Sequence, residues 1–179
     1  MKDLIASPGF WGIVGVILGF VLAEGAETVR RCVRINRLKK AVTNELQSLA
    51  SQITLKIEII EQAMEVLRKK NLELLATTSI PFITKVYEQH FGELSEHYTP
   101  VERNCIHNIY ERALLADRVL DSFEREFIDA IQTGKLKDPY ETFLGKLDDT
   151  KIALNTAQSL TNGLLVGQPD DVYGIKEKA

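Results

Sequence analysis

The chain has 179 residues, 45% of them hydrophobic and 26% charged, with a formal net charge of −3. That length supports a single hydrophobic core, and two cysteines, Cys32 and Cys105, are too few for a disulfide framework and agree with a reducing compartment. Charge is divided along the chain: residues 1–40 carry seven basic and three acidic side chains (+4) and residues 41–179 carry fifteen and twenty-two (−7), which disfavours nucleic acid as a partner of the main body.

The first element is an uncharged run from Leu4 to Ala23. Twenty residues at 1.5 Å each match a bilayer core about 30 Å thick, so the run reads as one transmembrane helix. Ser7 and Pro8 suit the N-cap and first helical positions, and Phe10 and Trp11 suit an interface. Behind the run stand Arg30, Arg31, Arg34, Arg37, Lys39 and Lys40, whereas only Lys2 precedes it. Basic residues stay on the cytoplasmic side, so the expected orientation is N-terminus outside and C-terminal domain cytoplasmic. The basic cluster would also meet the anionic leaflet of a lipid bilayer. A cleaved signal peptide, with Ala23 and Gly25 at its small-residue positions, is the rival reading. Gly12, Gly15, Gly19 and Ala23 lie near one side of this helix, Gly15 and Gly19 forming a GxxxG pair, which predicts self-association into a homo-oligomer.

From Ala26 to Ile80 there is neither proline nor glycine. Leu38, Val42, Leu46, Leu49, Ile53, Ile57, Ile60, Met64 and Leu67 recur at about 3.6 residues, predicting one long amphipathic helix that continues the span and ends near 76–78. Ser79, Ile80 and Pro81 then read as the start of a short helix through about His90, closed by Gly92. Thr99-Pro100-Val101-Glu102 is a capping box that starts a third helix. Its apolar positions are Ile106, Ile109, Ala113, Ala116, Leu120, Phe123 and Phe127, at a 3.5-residue period. Gly134 closes it. Asp138-Pro139-Tyr140-Glu141 repeats the start signal for a last helix with Phe143, Leu144, Leu147, Ile152, Leu154, Ala157 and Leu160 as its apolar set, stopped by Asn162-Gly163. The expected fold is all-α: a transmembrane helix (residues 1–25) leading into a cytoplasmic three- to four-helix antiparallel bundle (26–165), with a loose tail (166–179).

Candidate chemistry is sparse. His90, His97 and His107 with Glu93 and Glu111 can reach i,i+4 register, a geometry able to hold zinc or iron. No H-E-x-x-H, E-x-x-H or C-x-x-C accompanies them, and ordinary capping and surface charge explain them as well. No cofactor motif is present. Asn104, His107, Asn108, Tyr110, Glu111 and Arg112 form a polar stretch on the third helix that suits either a buried hydrogen-bond network against the short helix or a partner-binding patch.

Ile80-Pro81, Tyr87-Glu88, Gly92-Glu93-Leu94 and Asn108-Ile109-Tyr110, placed behind an apolar segment and an Arg-rich exit, give a chain that resembles uncharacterised bacterial single-pass membrane proteins with a cytoplasmic helical bundle. The resemblance covers most of the chain and is architectural. It implies a bacterial inner-membrane location, is compatible with a sensor or accessory role, and carries no assigned activity or catalytic residues to transfer. Together these expectations describe a non-enzymatic interaction module that self-associates and recruits a protein partner. A membrane-perturbing effector and a metal-dependent bundle enzyme using His90, His97 and His107 are the alternatives.

Overall fold

The computed structural model describes residues 8–70 and 80–169, without the side chains of residues 8–11, 13 and 14. Its elements are α1 (Pro8–Arg68), α2 (Lys85–Leu94), a 3-10 turn (Ser95–His97), α3 (Pro100–Thr133) and α4 (Pro139–Leu165). The chain divides into two compact units, Met1–Lys40 and Ala41–Ala179.

The expected transmembrane helix is corrected. Among the described residues no helix is long and apolar enough to cross a membrane. Of the twenty-residue run, residues 4–7 lie outside the described residues, as do the side chains at 8–11, 13 and 14. On α1 the uncharged stretch is Pro8 to Ala23, sixteen residues or about 24 Å at 1.5 Å per residue, short of a bilayer core about 30 Å thick. It is followed at once by Glu24, Glu27, Arg30 and Arg31 on the same helix. The placement as a single-pass inner-membrane protein with its N-terminus outside rested on that span and is corrected with it.

The second unit is an all-helical bundle. Its core takes Val42, Leu49, Ile53, Ile60 and Leu67 from α1, Ile106, Ile109, Ala113, Leu120 and Phe127 from α3, and Leu147, Leu154 and Ala157 from α4. These lie three, four or seven residues apart, so each helix turns one apolar stripe inward. Phe143 meets Phe123 and Phe127 edge-on, with centroids at 5.3 and 5.1 Å, and Tyr140 does the same to Phe127 at 5.4 Å. Edge-to-face contacts of this kind add to the area the rings bury.

Side-chain bonds fix the directions. Glu45 with Tyr110 and Lys56 with Asp117 pair ascending positions on α1 and α3, so these helices run parallel. Thr54 with Gln158 and Glu61 with Lys151 pair ascending with descending positions, so α4 runs antiparallel to α1. Two parallel helices joined in sequence require a return crossover, and residues 80–94 supply it. Ile83 contacts Gln52 while Tyr87 contacts Glu45, so the segment descends against α1.

The helix starts at Pro100 and Pro139 stand as expected. Thr99 accepts the Glu102 N–H while Glu102 accepts the Thr99 N–H, and Asp138 accepts the Glu141 N–H. Gly134 closes α3 at φ 60°. Other boundaries differ. α1 ends at Arg68, and residues 71–79, where its end was expected, lie outside the described residues. Pro81 does not begin the short helix, which starts at Lys85 and passes through Gly92. α4 runs on to Leu165 and ends in a Schellman motif: Gln168 N–H donates to Gly163 O at 2.8 Å and Gly167 N–H to Leu164 O at 3.1 Å, with Gly167 at φ 75°. Residues 170–179 of the expected tail lie outside the described residues. Ile152, assigned to the core stripe, is exposed, while Thr150 and Thr161 are buried, each donating its hydroxyl to a carbonyl four residues back.

Candidate functional site

The polar centre of the bundle lies between α1, α3 and the crossover. Glu45 is 6% exposed and accepts three hydrogen bonds: from Val86 N–H at 2.7 Å, Tyr87 N–H at 3.0 Å and the Tyr110 hydroxyl at 2.7 Å. Val86 and Tyr87 are the second and third residues of α2, whose own N-cap residue, Thr84, makes no side-chain cap bond. A carboxylate from a distant helix therefore does what an N-cap side chain ordinarily does, and places negative charge at the positive end of α2. Thr84 instead donates its hydroxyl to Glu88 at 2.6 Å.

Seven and eleven residues on from Glu45, Gln52 and Lys56 repeat the contact. Gln52 accepts the Ile83 N–H at 3.3 Å. Lys56 forms a buried ion pair with Asp117 and stands 4.3 Å from the centroid of the Phe82 ring. Asp117 accepts the Phe82 N–H at 2.7 Å with its other oxygen. Both charges of the pair are thus also hydrogen-bonded or held against a ring, the condition under which a buried pair is tolerated.

Tyr87 lies flat on Tyr110, with centroids 4.0 Å apart and planes at 5°, and its hydroxyl is 2.7 Å from His107 Nδ1. Burial pushes the Tyr110 hydroxyl well above the usual phenol range, and the Glu45 carboxylate adds to the shift. Tyr87 is raised by burial and by Glu111, and Tyr98 by burial and by Glu102.

The polar stretch on α3 is therefore divided. Tyr110 and Asn108 are buried, and His107 is exposed but bonded to the crossover. Asn108 donates to the Asn104 carbonyl at 3.1 Å, Glu111 is exposed, and Arg112 Nε is buried without a hydrogen-bond partner. The histidines do not converge. His90 lies on α2, His97 on the 3-10 turn and His107 on α3, and among the described residues no three His, Cys, Asp or Glu side chains are grouped to hold a metal, Glu93 and Glu111 included.

In the first unit the apolar residues of α1 from Val16 to Val33 are uncovered, whereas Ile35 is buried. Val16 is 74% exposed, Phe20 68% and Val29 62%, and Ile17, Leu18, Val21, Leu22 and Val33 are also exposed. A Cβ built on Gly12, Gly15 or Gly19 meets nothing within 4 Å, so no contact inside one chain requires glycine there. Arg30, Arg31, Arg34, Arg37 and Lys40 are exposed and Lys39 is half-buried; Ala23 is exposed. Gly15, Gly19, Leu22, Ala26, Val29 and Val33 are spaced by alternating steps of four and three, the interval of a coiled-coil seam.

A groove of about 400 Å³ lies between α3 and α4, lined by Leu115, Val119, Phe123, Lys146 and Ala153 among others. Lys146 pairs with Glu126 at 2.9 Å and holds that carboxyl below its ordinary range.

Sequence reasoning missed Glu45, Gln52, Lys56 and Asp117. A signal existed: Glu45 stands four before Leu49, Lys56 three after Ile53, and Asp117 four after Ala113, so each is a charged residue at a core-facing helical position. No family model, no curated protein and no solved structure matches the chain.

Proposed function

We propose that this protein is a helical interaction module that works by binding protein chains rather than by chemistry, and that it self-associates through the first part of α1. One observation carries the reading: the uncovered apolar residues of α1, from Val16 to Val33. Apolar surface gathered on one element marks an interaction site, because leaving it in water costs about 25 cal/mol per Å². The four-three spacing supports a second helix of the same kind as the occupant.

Charge favours a parallel pair. With Leu22 and Val29 at one seam position and Ala26 and Val33 at the other, Arg30 and Arg37 flank the seam on one side, and Gly25 and Cys32 on the other. A parallel partner sets each arginine against a small residue, whereas an antiparallel partner sets arginine against arginine. Asn36 follows Val33 at the next seam position, where a polar residue specifies register.

Sedimentation of the full chain over a range of concentrations tests the reading. The expected mass exceeds the 20.1 kDa of one chain, and Leu22→Asp with Val29→Asp returns it to that value while the helical circular dichroism of the bundle persists. A wild type that sediments as a single chain at every concentration overturns the proposal.

A further inference from the structure

The crossover is held by groups that do not depend on its covalent connection to them. Its four anchored main-chain N–H groups, those of Phe82, Ile83, Val86 and Tyr87, donate to Asp117, Gln52 and Glu45. All the acceptors are side chains of α1 and α3. Two side chains of the segment supply selectivity. Phe82, 6% exposed, lies beneath the Lys56 ammonium, and Tyr87 stacks on Tyr110. The parallel pair α1 and α3 is therefore a groove that reads a peptide entering as non-helical chain at Phe82 and turning into a helix at Lys85.

We propose that this groove is a docking site for the segment Pro-Phe-x-x-x-x-Tyr and the helix that follows it, whichever copy of the chain supplies it, so that two copies exchange residues 81–94. Charge complementarity selects the occupant. The groove presents two carboxylates, Glu45 and Asp117, to N–H donors, and Glu45 sits at the positive end of the helix it receives. A segment without a free helix N-terminus at this point leaves buried acceptors unpaired and is rejected. The same segment from a second copy meets every requirement, the condition for exchange of identical elements between protomers. The cis segment competes at an effective concentration in the millimolar range, so the second copy's segment binds weakly until the cis one is loosened.

A fluorescent peptide of residues 79–94, titrated against the full chain, tests this. Phe82→Ala with Tyr87→Ala weakens the cis segment and leaves all the groove side chains in place. The expected result is peptide affinity at least about ten-fold above wild type, as relief from a millimolar competitor requires. Adding Glu45→Gln to that variant is expected to remove roughly ten-fold, the loss of one charge-assisted contact. Equal affinity in wild type and the double variant overturns the proposal. If the double variant loses its helical circular dichroism, the wild type decides alone. Millimolar peptide must then raise hydrogen exchange at the amides of Phe82, Ile83, Val86 and Tyr87, and unchanged exchange overturns the proposal. Leu22→Asp is expected to leave peptide binding unchanged, so failure here and failure of self-association through α1 are separate results.

Discussion

The Tyr110 hydroxyl donates to the Glu45 carboxylate at 2.7 Å inside the bundle, and that one contact ties α3 to α1 at the point where the crossover becomes helical. The carboxylate is shared between a side chain of α3 and two main-chain groups of α2, so its removal is felt on three elements. Glu45→Ala is expected to cost about 3 kcal/mol, because it leaves three donors unpaired, the Tyr110 hydroxyl buried and the Val86 and Tyr87 N–H groups half-buried. Glu45→Gln keeps an acceptor oxygen and is expected to cost about 1–2 kcal/mol, and Tyr110→Phe about the same. Urea denaturation of the three variants ranks them; equal stability of Glu45→Ala and wild type would contradict the shared role.

Lys56 and Asp117 give a prediction of a different form. Lys56→Met leaves Asp117 buried and without its counter-charge, at an expected cost of about 3 kcal/mol. Combining it with Asp117→Leu removes the stranded charge and leaves the Phe82 N–H without its acceptor, so the pair of changes is expected to cost less than the sum of the single ones. A double-mutant cycle measures the difference. Strict additivity would show that the two groups do not support one another.

Tyr87, Tyr98 and Tyr110 all have raised pKa values, each led by burial. The folded chain holds these protons more tightly than the unfolded one. The stabilisation is fully present below the unfolded phenol pKa of about 10 and is lost as pH rises through the folded values. Denaturant midpoints are therefore expected to hold steady up to about pH 9 and fall above pH 10. Phenolate absorbance near 295 nm reports the ionisation directly, and a protein whose five tyrosines all ionise near pH 10 without loss of stability would contradict the burial.

The glycines separate into two kinds. A Cβ at Gly163 meets the Gln168 carbonyl oxygen at 2.8 Å, across the turn that ends α4. Gly163→Ala is expected to destabilise by about 1–2 kcal/mol. Gly92 and Gly145 lie inside helices with nothing within 4 Å of an added Cβ. Alanine at either is expected to stabilise by about 0.5–1 kcal/mol, chiefly by restricting the unfolded chain. Thermal unfolding of the three variants should show opposite signs.

The starts of α3 and α4 were readable from sequence because their caps are local: Thr99 with Glu102, and Asp138 with Glu141, each lie three residues apart. The start of α2 was not, because its cap is Glu45, forty residues upstream, and no spacing rule links the two. Pro81 misled for the same reason. It resembles a first helical residue, yet the next two N–H groups are taken by Asp117 and Gln52, and the helix begins only at Lys85. The apolar run at the N-terminus was plain in composition, but a run that suggests a span in sequence is not, among the described residues, a helix apolar for long enough to cross a bilayer. The polar stretch on α3 was recognised, though not that Tyr110 and His107 turn to the crossover while Glu111 faces water.

A helix whose cap belongs to another helix also has a place in time. α2 has ten residues, too few to persist alone in water, and no cap of its own. It cannot be completed until α1 and α3 have come together in parallel and brought Glu45 and Asp117 into position. Consolidation of the crossover is therefore expected after the rate-limiting step of folding. Substitutions at Phe82, Val86 and Tyr87 should leave the refolding rate almost unchanged and speed unfolding, whereas substitutions at Ile53, Ile109 and Leu154, in the stripes that must meet first, should slow refolding.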